Sequence, residues 1–124
     1  MTIPAAVVTL VSPLWWRSFP AMLKGYVDGV FTAGSGYLGG SADKRPSLAG
    51  KTGAVVMTAE SSLDDLKRGG ALRALKTEHK EMFDYCEVEI AGELYLGGIG
   101  PGMSQGDGEQ RLEAVRRFAR RTFP

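Results

Sequence analysis

Two adjacent tryptophans, Trp15 and Trp16, stand between Pro13-Leu14 and Arg17, and of all the side chains in this sequence they are the best suited to hold a ligand. Indole faces stack on flat aromatic rings, and neighbouring tryptophans on a turn cannot easily both point inward. The competing reading makes both of them core residues that plug a strand–helix corner. Four other side chains are candidates for moving a proton or stabilising charge: Arg17, Tyr37, Glu60 and His79. Arg17 either offsets negative charge on a bound oxygen or is a plain surface residue. His79 lies among Lys76, Glu78, Lys80 and Glu81, and a lone histidine on so charged a stretch reads first as solvated. One cysteine, Cys86, and one histidine provide neither a disulfide nor a zinc set, so Cys86 reads as structural.

The elements that must position these residues follow from the apolar patterning. Ala5–Val11 is short, apolar and rich in valine, as a parallel strand covered on both faces would be. A helix is expected from about Phe19 to Phe31, with Ser18 as N-cap, Pro20 in the first turn, and Lys24 and Asp28 four apart on its polar face. The Trp pair therefore falls on a turn at the carboxyl end of a strand, where open α/β sheets place ligands. Residues 32–50, with five glycines and Pro46, read as a long loop. Lys51–Met57 is the second strand, and Leu63–Phe83 is helical with a break near Gly69-Gly70. Tyr85–Ile90 leads into Leu94–Gly98 as a third strand bent near Gly92. After a glycine-rich loop, a last helix from about Glu109 to Arg121 buries Leu112, Val115, Phe118 and Ala119. Its arginines cluster towards the carboxyl end, where the helix dipole favours cations.

Composition narrows the function classes. The chain has 124 residues, which suits one domain over 1–124 with a modest core, and a formal net charge of +1, which gives no bulk attraction for nucleic acid or membranes. There is neither a basic, apolar leader pattern nor an apolar run of about 20 residues. With a single cysteine, these features suggest a cytoplasmic protein.

The run Pro13-Leu14-Trp15-Trp16 followed by Phe19-Pro20-Ala21-Met22-Leu23-Lys24-Gly25-Tyr26-Val27-Asp28 resembles the signature of the flavodoxin-like NAD(P)H:quinone reductases. That resemblance implies a Pro-Leu-x-Trp turn lying along a flavin ring, with FMN or FAD as cofactor and NAD(P)H as hydride source. It implies that Tyr37, in Gly34-Ser35-Gly36-Tyr37, lines the quinone pocket of a partner subunit. It also implies that Thr58, Ala59 and Glu60 stand where family members carry Thr-Thr-Gly-Gly against the ring. The departure puts a Cβ and a carboxylate where backbone should approach, so weak flavin binding is expected. Some members relay a proton through a Tyr/His pair near this part of the chain; His79 is carried here as a catalytic candidate on its residue type. Cys86 falls at a family Phe-Cys-Gly packing turn.

The resemblance extends over nearly the whole chain but maps to the carboxyl-terminal half of the family domain. The fold class it implies is α/β, a truncated flavodoxin-like fold with three parallel strands and helices on both faces. In the order 2-1-3-4-5, this chain would hold strands 3, 4 and 5. The family's first strand, phosphate loop and second strand would precede Met1, leaving Ala5–Val11 as an open edge. The expectation is a homodimer through that edge, or a separate chain that supplies the missing half. Three functions stay open. One is a flavin-dependent reductase of a quinone or aromatic carbonyl. Another is a flavin-free enzyme that cyclises or isomerises a polycyclic aromatic, and the third is a non-catalytic accessory subunit.

Overall fold

Valine-rich and alanine-rich segments alternating with amphipathic ones produce a parallel sheet flanked by helices. The computed structural model describes residues 6–31 and 48–124. In chain order the elements are β1 (Val7–Pro13), α1 (Ala21–Val30), β2 (Thr52–Thr58), α2 (Leu63–Arg68), α3 (Ala71–Tyr85), β3 (Glu89–Leu96) and α4 (Gln105–Thr122). The described strands form one sheet in the order β1-β2-β3, parallel throughout. A register shift at Gly53/Ala54 leaves Ala91 unpaired opposite β2, which accounts for the bend expected near Gly92.

The two faces of the sheet are unequally covered. On one, Val8, Leu10, Val55, Met57 and Tyr95 pack against Val27 and Val30 of α1, Leu66 of α2, and Leu72, Leu75 and Phe83 of α3. On the other, Phe118 of α4 covers Ala54 and Val56, with Leu94 beside them. Only β2, the central strand, is buried on both faces, and it carries the longest run of buried residues. β1 alternates strictly, with Val8, Leu10 and Ser12 buried and Val7, Thr9, Val11 and Pro13 exposed. The expectation that this strand is covered on both faces is corrected, since no described element lies over its second face.

Other boundaries shift for local reasons. The first strand extends to Pro13, which pairs with Thr58, while Ala5 lies outside the described residues. Ser18 does not cap α1. It is held in a bridge with Trp15, and the N-cap is Pro20, which has no side-chain bond to offer. Helix α4 begins a turn earlier than expected, because Ser104 and Asp107 form a capping box that overrides the poor helix propensity of Gly106 and Gly108. The Ser104 hydroxyl holds the Asp107 carboxyl below its usual range. Of the four residues expected to be buried on α4, only Phe118 is; Leu112 is 58% exposed and Ala119 is also exposed. Leu112 and Ala119 have the right period but no partner layer among the described residues.

Candidate functional site

The carboxyl ends of the three strands converge with the turns that follow them. Leu14 N–H donates to Thr58 O at 2.7 Å, and Ala59 N–H donates to Leu96 O at 2.8 Å, so the pairing of the sheet continues into both turns. Pro13, Leu14, Thr58 and Ala59 are thus brought side by side. Trp15 and Ser18 exchange two backbone bonds of 3.0 Å and close a tight turn, in which Trp16 and Arg17 have φ of 51° and 60°. That left-handed pair of residues throws both indoles outward. Trp15 is 60% and Trp16 100% exposed, so the reading of the pair as a core plug does not hold.

Arg17 turns towards the α2–α3 junction, where a Cβ on Gly69 would lie 3.4 Å from its Nη2. Glu60 is exposed next to Gly100. The loop that carries it is tied down by Gly98 N–H to Ser61 O (3.0 Å) and Ile99 N–H to Ala59 O (2.9 Å). Gly97 is needed there for close approach, since a Cβ would lie 2.6 Å from Leu63 N and 2.8 Å from Ser61 O. Beside it, Arg111 donates to Gly97 O at 3.1 Å, and Ser62, Gly98 and Arg117 help line an adjoining cleft of about 440 Å³. Tyr37 lies outside the described residues.

His79 is not solvated: it is 2% exposed, on the sheet face that α1 and α3 cover. Its ring stacks on Phe19 at 5.1 Å, and Nδ1 lies 3.1 Å from Glu93 Oε1 and 3.0 Å from the Tyr95 hydroxyl. Tyr95 donates to the same Glu93 oxygen at 3.0 Å. Nδ1–H pointing at the carboxylate satisfies all three groups, and it leaves Nε2 as the nitrogen free to accept or carry a second proton. Burial, then the Glu93 charge and hydrogen bond, drive the Tyr95 phenol far above its ordinary range, so it remains a neutral donor. Lys76 Nζ lies 6.0 Å from the Tyr95 ring centre, and Lys24, Asp28 and Glu78 line a cavity of about 280 Å³ with His79. Helix periodicity carried the missed signal: Leu72, Leu75, His79 and Phe83 share one stripe, and Glu93 and Tyr95 share one strand face. Tyr95→Phe removes the hydroxyl that His79 and Glu93 share, and should cost about 1–2 kcal/mol in urea unfolding.

Cys86 caps α3, is 1% exposed, and has its thiol pushed up by burial to about 11, in keeping with a structural role. Among the described residues no group of His, Cys, Asp and Glu is arranged to hold a metal. None of their helices is long and apolar enough to cross a membrane.

Exposed aromatic faces thus stand beside backbone at the strand ends. The described glycine-rich loop before a helix is residues 97–104, with Gly97, Gly98, Gly100 and Gly102 between β3 and α4. An uncharacterized NAD(P)H oxidoreductase of Haemophilus influenzae is 35% identical over 100 residues, covering 74% of this chain and 48% of that protein. An uncharacterized Escherichia coli NAD(P)H oxidoreductase, YcaK, is 54% identical over 89 residues, covering 72% and 43% respectively. The chain spans about half the length of the curated relatives it matches. Among solved structures, an NAD(P)H:quinone oxidoreductase from Methanothermobacter marburgensis superposes with a TM-score of 0.75 at 28% identity, over 94% of this chain and 55% of that one. A general stress protein 14 from Treponema denticola, solved with FMN, has a TM-score of 0.68 at 17% identity, over 92% and 63%, which is a likeness of fold. Residues 3–121 match the family described by its flavodoxin-like fold, and the chain belongs to that family.

Proposed function

We propose that the chain forms the ring side of a flavin site in an NAD(P)H:quinone oxidoreductase-like protein that reduces a quinone or an aromatic carbonyl. The observation that carries this reading is the exposed Trp15-Trp16 turn, clamped by backbone bonds to the end of a parallel strand. When bound, FMN or FAD supplies the hydride chemistry, with NAD(P)H as donor. The indoles of Trp15 and Trp16 orient the ring and keep water from its face. Backbone from Pro13 to Arg17 and from Thr58 to Glu60 meets the ring edge, and Arg17 is the nearest cation on the turn. Tyr37 would close the pocket, as the family resemblance implies. His79, held by Glu93 and Tyr95, is in this reading the group that holds a proton close to the site. Residues 1–124 act as one truncated flavodoxin-like unit.

Titrating purified protein with FMN and FAD tests this directly. Saturable perturbation of the visible flavin bands is expected, at weak affinity. The absence of any shift up to millimolar flavin would remove the redox reading.

A further inference from the structure

Between α1 and α3 lies a cavity of about 280 Å³ that none of the residues from Pro13 to Arg17 or from Thr58 to Glu60 lines. Phe19, Val27, Phe31 and Met82 give it apolar walls, and His79 is the buried polar side chain that reaches it. The Nδ1 edge of that imidazole is occupied by Glu93 and the Tyr95 hydroxyl. Nε2 has no hydrogen-bond partner among the described residues, yet it is not sealed in, since the buried side-chain atom left without a partner there is Ser12 Oγ. The surface that Nε2 keeps is the surface His79 gives to the cavity. The other charged groups of the lining are Asp28 and Glu78, against Lys24, whose Nζ lies 2.6 Å from Asp28 Oδ1. Glu93 adds a further carboxylate behind the imidazole.

We propose that this cavity is a second small-molecule site, which takes an uncharged one-ring aromatic alcohol of the phenol type, with its ring among Phe19, Val27, Phe31 and Met82 and its hydroxyl on His79 Nε2. The dimensions suit one ring, since an apolar cavity of about 150 Å³ already admits benzene. A water molecule would satisfy Nε2 but leave the apolar walls wet. A hydrocarbon would cover the walls but leave a buried nitrogen unpaired, which is costly. A hydroxyl answers both needs, because it donates to a neutral Nε2 and accepts from a protonated one. A carboxylate in its place would face the like charges of Asp28 and Glu78. Binding there does not require a flavin.

The chain has one histidine, so its imidazole proton resonances report on the cavity without overlap. Phenol added to the purified chain is expected to move them saturably at about millimolar concentrations, which is ordinary for a ligand of so few atoms. Toluene keeps the ring and lacks the hydroxyl, and should bind roughly tenfold more weakly. Benzoate should leave the resonances in place. Met82→Trp, which fills the cavity from its wall, should abolish the phenol shift; the three ligands on the unaltered chain decide the matter if that variant does not fold. No shift up to about 20 mM phenol, or toluene bound as tightly as phenol, overturns the proposal. So does a phenol shift that persists undiminished in folded Met82→Trp. A phenol shift lost when Trp15 and Trp16 are both replaced by alanine would place the ring on the turn, and overturns it as well. Phenol binding without flavin binding upholds this site and removes the flavin reading, whereas flavin binding without phenol binding does the reverse.

Discussion

Replacing Trp15 and Trp16 together by alanine is expected to weaken flavin binding by roughly 100-fold while leaving the fold intact. Each stacked indole contributes about 0.5–1.5 kcal/mol beyond the area it covers, and that area adds about 25 cal/mol for each Å² removed from water. Two such faces reach the roughly 2.7 kcal/mol that corresponds to a factor of 100. The fold survives because neither side chain belongs to it. Trp16 is fully exposed, and the turn is closed by backbone bonds between Trp15 and Ser18, which an alanine retains. Equilibrium dialysis against FMN, with circular dichroism on the same samples, checks both halves of the expectation. Unchanged binding would sink the assignment of the turn as the ring platform. A lost circular dichroism signal would show that the indoles serve packing.

Why some of this was visible in the sequence and some was not comes down to which interactions are local. The strand cores, the break at Gly69-Gly70 and the strand-end turn bearing the tryptophans all follow from short-range patterning, but the third strand begins at Glu89 and not at Tyr85, which is the last residue of α3. Lys24 and Asp28, four apart on a helix, do meet at 2.6 Å. His79 was misread because the charge of its neighbours in sequence says nothing about the stripe it shares with Leu75 and Phe83. Its partners, Glu93 and Tyr95, lie on a strand that the helix reaches only after folding. The apolar residues of α4 were placed in the core for the opposite reason. Period shows which face of a helix is apolar, but only a neighbouring layer decides whether that face is covered, and β1 has none on that side among the described residues. The Ser104–Asp107 capping box was legible at its i, i+3 spacing, yet two glycines within the same turn masked it.

Phe83→Ala should have the largest effect on stability, about 3–5 kcal/mol, which is a large share of the roughly 5–15 kcal/mol available to a domain of this kind. Phe83 is 0% exposed and packs edge-on to Phe31 at 5.9 Å. Its ring rests on β2 where Gly53 leaves room, since a Cβ on Gly53 would lie 2.8 Å from Phe83 Cε1. Glycine in a strand interior is ordinarily a weakness, and here it is the socket that lets α3 approach the sheet. The two positions should therefore be coupled. Gly53→Ala alone overpacks the site at a cost of about 1–3 kcal/mol. Combined with Phe83→Leu it should cost less than the sum of the two single changes, a coupling that a double-mutant cycle in urea would measure. A Phe83→Ala cost below about 1 kcal/mol, or strict additivity with Gly53, would mean that the ring does not hold α3 in place. The consequence reaches the candidate site, because His79 lies one turn before Phe83 on the same stripe. If Phe83 sets the depth of the helix, a partly destabilised Phe83→Leu protein should loosen the contact of His79 with Glu93 and Tyr95. The readout is its imidazole proton resonance, which should move towards the solvent-exposed position while the spectra of β2 and β3 remain folded.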